Sequence, residues 1–418
     1  MATRKNDDTA RRLLQDFPNS HFLQWAAKNE ESRESITTFI GLMLTPEAGA
    51  GWRGMFAVPP ASALEIVLAT FKKETDIPLE IPFFATLHFV SGMLLKNGST
   101  MEGPAGTISP ELWTVVLADS GAGKTFATKI IERAAGVEDM ALEEPASGAK
   151  LLASMAEKPT SLWTQDEIAQ KLKQIEDPKS PMGDAKEYLL RAYDNAKIQR
   201  ATKKETITVE NPRLGILGLN TKESFRKAMS PESLLDGFAQ RFGFVYAEDD
   251  KSRPMIDFAL YQKPKIEAAC KRAFDKIRET PLHKEYILGP AAVQAFETSF
   301  VLLARDGTPK SFFRRAMFRA FRYAMLYHVL LGKKSNVIDE EDIGWGARVV
   351  SLHLADMGKI LGTDEKMKFM ADTVKKARSM QERFKSQNKA FTARSLQQGL
   401  REINNADDAK ALFDMVSK

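Results

Sequence analysis

Between Leu112 and Gly136 the chain reads LWTVVLADSGAGKTFATKIIERAAG, and within it Ala118, Asp119, Ser120, Gly121, Ala122, Gly123, Lys124 and Thr125 have the types and spacing to bind phosphate. Gly121 and Gly123 would let backbone N–H groups close around the β- and γ-phosphates of a nucleotide. Lys124 would bring a mobile positive charge to those oxygens, and the Thr125 hydroxyl would hold Mg²⁺. The apolar run Trp113 to Leu117 predicts a buried strand, and Phe126 to Ala135 predicts a helix closed by Gly136, so strand, loop and helix come in the order such a loop requires. Ala118 stands where glycine is usual, which is tolerable at a position needing a small side chain but no positive φ. The competing reading is a chance glycine-rich turn before a helix.

About forty residues further on, Ser161 to Glu167 reads SLWTQDE. An acidic pair ending a strand supplies what ATP hydrolysis needs next: Asp166 to orient the water shell of the metal, and Glu167 to polarise the attacking water. Thr164 and Gln165 interrupt the apolar run, and a lone Asp-Glu pair is otherwise a solvated helix start.

Lys197, Arg200, Lys203 and Lys204 crowd a short stretch, followed by alternating Thr206, Ile207, Thr208 and Val209. The pattern predicts a β-hairpin with a basic tip, suited to gripping single-stranded or forked DNA by its phosphates, or else a solvated surface hairpin. The apolar strand Leu214 to Leu219 follows and ends in Asn220, which would hold the attacking water or serve as a turn residue. In DGFAQRFGFV, Arg241 lies between apolar neighbours, where an unpaired charge is costly. A subunit edge is the expected place, from which it would reach the γ-phosphate bound by the next subunit. A structural salt bridge is the alternative.

A chain of 418 residues with 43% hydrophobic content suffices for a full core in two or three units. The net charge of +5 favours an anionic partner without establishing one. One cysteine, Cys270, excludes an intramolecular disulfide, and with five histidines it leaves no zinc-ligand set. A reducing, cytoplasmic compartment is expected. Phe83 to Leu95, the most apolar segment, is too short and too interrupted to span a bilayer, so no membrane is expected. The predicted organisation is a helical N-terminal collar for oligomerisation (1–100), an α/β core (101–260) and a helical lid (261–362). A basic helical tail (363–418) follows, where FTARSLQQGLREI is similar to a small helix-turn-helix or winged-helix element. Gly103 to Pro110 is expected as a polar loop, Phe22, Trp25, Ile36, Phe39 and Leu42 as an apolar helix face in the collar, and Arg314, Arg315, Arg319 and Arg322 as a largely solvated lid face from which one could touch the nucleotide.

Taken in order, ADSGAGKT, TQDE, the basic hairpin, ILGLN and GFAQRF resemble the motor core of superfamily-three and related AAA+ helicases of phages, viruses and mobile elements. More closely they are similar to a P-loop family found in phages and often fused behind primase-polymerase domains. The match spans roughly residues 80 to 360. It implies a P-loop NTPase core and homo-oligomeric rings, typically hexamers, with ATP and Mg²⁺ held between subunits and basic hairpins lining a channel that grips one DNA strand. By motif it implies Lys124 and Thr125 as phosphate and magnesium contacts, Asp166 and Glu167 as the acidic pair, Asn220 as sensor and Arg241 as finger. A separate primase or polymerase is the further partner it suggests, in the host cytoplasm if the chain is phage-encoded.

Overall fold

The computed structural model describes residues 57–104, 106–201, 206–229, 233–234, 237–304, 310–362, 365–387 and 389–400, with a few isolated positions nearer the two ends. In chain order the elements are α1 (Ala63–Glu74), α2 (Glu80–Asn97), β1 (Thr100–Gly103), β2 (Gly106–Ile108), β3 (Trp113–Ala118), α3 (Lys124–Ala135), α4 (Gly148–Glu157), β4 (Thr160–Asp166), α5 (Ile168–Glu176), α6 (Ala185–Tyr193), β5 (Ile198–Ala201), β6 (Thr206–Val209), β7 (Arg213–Thr221), α7 (Lys222–Ala228), β8 (Gly243–Tyr246), α8 (Lys263–Arg278), β9 (Glu285–Leu288), α9 (Pro290–Leu303), α10 (Lys310–Leu330), β10 (Val337–Ile338), α11 (Glu340–Gly362), α12 (Glu365–Ser386) and α13 (Ala393–Gly399).

Four of the strands form a parallel sheet in the order β4-β7-β3-β8. β3, β7 and β8 run mostly apolar without alternation, as strands covered on both faces do, whereas β4 is interrupted by Thr164 and Gln165; all six residues of β3 are buried. β7, between β3 and β4, has two glycines where neighbours crowd it. A β-carbon on Gly215 would lie 2.7 Å from Leu162 Cδ2 of β4 and 3.3 Å from His88 Cε1 of α2, and one on Gly218 2.7 Å from Ile168 Cγ1 of α5. Helix α2 is buried from Glu80 to Leu95, apolar all round as a core helix is, and contacts α3 and the sheet; Gly98 ends it in the left-handed region at φ 76°. Helix α2, within the stretch expected as a collar, therefore packs on the core itself.

Residues up to Asp356 form one compact unit, and Met357–Lys418 a second. The expected breaks after residues 100 and 260 do not coincide with that division, and the expected start of the tail at 363 lies inside the second unit. The stretch expected as a polar loop, Gly103 to Pro110, instead holds β2 and the last residue of β1, with which β2 forms an antiparallel hairpin. The region expected to be wholly helical contributes β9 and β10, which complete a second sheet in the order β10-β9-β1-β2. In the second unit, Ala377, Leu396, Leu400, Ile403, Ala409, Leu412 and Val416 form a small core of their own. Thr392 caps α13 through a reciprocal box with Ser395. No strand occurs among the described residues of that unit. The predicted face at Phe22, Trp25, Ile36, Phe39 and Leu42 lies outside the described residues. Among the described residues no helix is long and apolar enough to cross a membrane.

Candidate functional site

Ala118 closes β3 in extended backbone, and the chain then turns through Gly121 (φ 78°) and Gly123 (φ 68°) into α3. Both glycines need the left-handed region, and Gly123 also lacks room: an added β-carbon would sit 2.6 Å from Ile77 Cδ1. As the residue capping α3, Gly123 offers no side chain to the first turn, so the N–H groups of that turn point at the loop without a side-chain cap. That is an anion seat built from backbone. Lys124 is buried beneath it and donates from Nζ to the Asp119 carbonyl at 3.1 Å. Burial pulls its ammonium below the ordinary lysine range; Asp166, Glu167 and Asp119 oppose this, and Lys222 adds to it.

Asp166 ends β4, and Thr125 Oγ1 donates to its Oδ2 at 2.8 Å. The other carboxylate oxygen of Asp166 accepts the Glu167 backbone N–H at 3.1 Å. Gln165, which breaks the apolar pattern of the strand, is satisfied locally, accepting from Trp163 Nε1 at 3.1 Å and donating to the Asp166 carbonyl at 2.7 Å. Glu167 sits at φ 50°, a left-handed conformation that an L side chain adopts only at a cost of about 1–2 kcal/mol, and from there it begins α5. Its position is set by Asn220 and Gly218. Asn220, fully buried, accepts the Ala169 N–H at 2.9 Å and donates to the Thr221 carbonyl at 3.0 Å, while Gly218 lets Ile168 lie against β7. Asn220 thus holds the first turn of α5, next to Glu167.

Beside the loop a cavity of about 320 Å³ is lined by Asp119, Ser120, Gly121 and Ala122 of the loop, by Asp76, Ile77 and Pro78, and by Asp249, Asp250, Lys251, Arg253 and Met255, so carboxylates as well as cations face it. A larger groove of about 820 Å³ runs between α5 and α7, lined by Gln170, Lys173, Ser224 and Lys227 among others. It has none of the loop residues, so the smaller cavity is the one the chemistry points to.

Arg241 lies at the opposite end of the sheet. Gly243 pairs with Thr114 near the start of β3, whereas the loop leaves from Ala118 at its end; those four residues span roughly 13 Å of strand, and Arg241 lies beyond the Gly243 end. Arg241 pairs with Asp194 at 3.1 Å, donates to the Gly237 carbonyl at 2.8 Å, and is only 12% exposed. Within this chain it holds a structural ion pair and has no access to its own loop. Of the lid arginines Arg314 is exposed, as expected, but the other three are not a solvated face. Arg315 donates to Gln240 Oε1 at 2.8 Å, buried Arg319 to the Gln240 carbonyl at 3.0 Å, and buried Arg322 pairs with Glu111 at 3.1 Å. Arg315 and Arg319 brace the turn around Arg241, while Arg322 ties α10 to the segment entering β3.

The basic segment does form a hairpin, β5 against β6. Lys197 pairs with Glu210 at 2.8 Å and Arg200 with Asp184 at 3.1 Å, so a nucleic-acid phosphate would have to displace a carboxylate at either. Lys203 and Lys204, at the tip, lie outside the described residues.

The structure therefore brings Lys124, Thr125, Asp166, Glu167 and Asn220 to one edge of the sheet and sets Arg241 at the other. It adds one residue that the sequence reading passed over. Lys222, directly after the β7 tip, pairs with the Asp119 carboxylate at 2.9 Å. The signal was there, since a lysine two places beyond Asn220 has to fall beside the loop once β7 neighbours β3. No family model and no curated protein matches the chain.

Proposed function

We propose that the protein is a P-loop ATPase of the AAA+ or superfamily-three-like kind, working as a ring-forming DNA helicase or translocase in the replication of a phage or mobile element. The observation that carries this reading is the hydrogen bond from Thr125 to Asp166 in front of a glycine-turned loop whose lysine is buried beneath it. A hydroxyl and a carboxylate meeting at that point are the pair expected to share a Mg²⁺ ion, which takes few protein ligands and completes its shell with phosphate and water. In this reading the loop N–H groups and Lys124 bind the β- and γ-phosphates. Glu167 draws a proton from a water whose oxygen attacks the γ-phosphorus; the bond from phosphorus to the bridging oxygen breaks, and ADP leaves with that electron pair. Asn220 keeps the Glu167 turn in place. Arg241, remote from its own loop, would act only across a subunit boundary, after leaving Asp194.

Turnover of ATP with Mg²⁺ by the purified chain, by Lys124→Ala and by Glu167→Gln tests the ATPase. Lys124→Ala should lose nucleotide binding, and Glu167→Gln should bind ATP without cleaving it. Normal turnover in Glu167→Gln removes that residue's role. The motor is tested on a forked duplex, where Lys203→Ala with Lys204→Ala should abolish unwinding while leaving basal hydrolysis. A second reading, a AAA+ ATPase that loads or remodels replication proteins without unwinding, is favoured by the carboxylate partners of Lys197 and Arg200. It becomes the better one if that double variant unwinds like the parent.

A further inference from the structure

Lys222 has no part in the chemistry described so far, yet its surroundings are unusual for a surface lysine. It starts directly beyond the tip of β7, the strand lying between the one that ends in the glycine loop and the one that ends in Asp166. Its side chain is 13% exposed, with the ammonium 5.0 Å from the centre of the Tyr246 ring and 2.9 Å from Asp119 Oδ2. Asp119 is itself a loop residue, and its carbonyl accepts from Lys124. One residue therefore holds both lysines, Lys124 by its main chain and Lys222 by its carboxylate. The two cations are close enough to repel.

This is an arrangement waiting for negative charge. The Asp119 carboxylate is 55% exposed, so releasing it to water costs little, whereas a largely buried ammonium moved onto a phosphate oxygen gains a charge-assisted hydrogen bond. Of the phosphates a nucleotide would carry, the terminal one faces the Glu167 side of the loop, which is the side from which Lys222 comes. We propose that Lys222 is a second phosphate-binding cation, which leaves Asp119 for the terminal phosphate of a bound nucleoside triphosphate and makes the site prefer triphosphate over diphosphate. This rests on the nucleotide-binding reading above. A purely structural Lys222–Asp119 pair would give no such preference.

The test is equilibrium titration of the full chain with Mg²⁺ and either ADP or a slowly hydrolysed ATP analogue. Lys222→Met keeps the aliphatic stem over Tyr246 and removes the charge. It should weaken analogue binding about tenfold or more, the size of one lost charged hydrogen bond, while changing ADP binding less than about twofold. Lys222→Arg should keep most of the preference. Asp119→Asn, which frees the lysine without altering it, should shift the preference further toward the analogue, and it serves as the measurement if Lys222→Met does not fold. If the parent binds neither nucleotide, the functional reading falls and takes this assignment with it. If the parent binds both and neither Lys222→Met nor Asp119→Asn changes the ratio of affinities, the assignment alone is overturned.

Discussion

Thr125 Oγ1 donates to Asp166 Oδ2 across 2.8 Å, joining the first turn of α3 to the tip of β4 although β7 lies between β3 and β4. The bond sets the two side chains next to each other, so a metal held by one would be offered to both.

That pairing makes Thr125→Val a clean test of the metal. The substitution keeps the branched shape and removes the hydroxyl, so ATP binding in the absence of divalent ion should be little changed. The tightening brought by Mg²⁺ should fall by about tenfold, comparable to the loss of one good polar contact. Titrations with Mg²⁺ and with chelator read the difference; equal Mg²⁺ enhancement in parent and variant would remove Thr125 from the metal site.

Asn220 is expected to act through Glu167. In Asn220→Ala the buried N–H of Ala169 loses its acceptor, which should cost about 1–3 kcal/mol in denaturant unfolding. Turnover should fall while nucleotide affinity stays near the parent's, because the loop itself is untouched. A variant with weakened binding and normal turnover per bound nucleotide would contradict this.

Arg241 offers a test of where the finger acts. Arg241→Ala should bind nucleotide almost normally and hydrolyse it roughly a thousandfold more slowly if the residue serves a neighbouring subunit. Mixing Arg241→Ala with Lys124→Ala subunits should then restore activity at interfaces that pair an intact loop with an intact finger. Absence of recovery in verified mixed assemblies would leave Arg241 as the structural partner of Asp194 alone.

Glu341, in the first turn of α11, makes stability depend on pH. It is fully buried and accepts from the Tyr327 hydroxyl at 3.2 Å. Burial pushes its carboxyl up from 4.5 to about 8, with Lys333 opposing the rise and Asp339 and Asp342 adding to it. Its folded value is thus above its unfolded one, so between the two the folded chain binds the extra proton and its stability falls as pH rises. Melting temperatures at about pH 6 and about pH 9 should drop less in Glu341→Gln than in the parent. Equal drops would show that Glu341 does not carry the dependence.

Much of the site was legible because it is local in sequence. Strand β3, the glycines, Lys124 and Thr125 fall within one short stretch, and the apolar run ending at Asn220 matches β7 to within two residues at either end. What escaped was set by partners far along the chain. β1 and β9 are four residues each and pair with one another across the whole parallel sheet's worth of intervening sequence, Thr100 with Glu285, so neither carries a pattern of its own. The partner of Arg241 is Asp194, that of Arg322 is Glu111, and that of Lys222 is Asp119. A lone charge in a sequence does not announce which carboxylate will face it.

The central place of β7 also fixes an order of assembly. During synthesis β3 and β4 emerge first, but neither can settle against its final neighbour until residues 213–221 have been made and have slotted between them. A nascent chain ending before Arg213 holds the glycine loop and the acidic pair with nothing to set their spacing. Such long-range parallel pairing is slow to form. Competence to bind a ligand at this edge should therefore arrive abruptly and late, as one event with closure of the sheet.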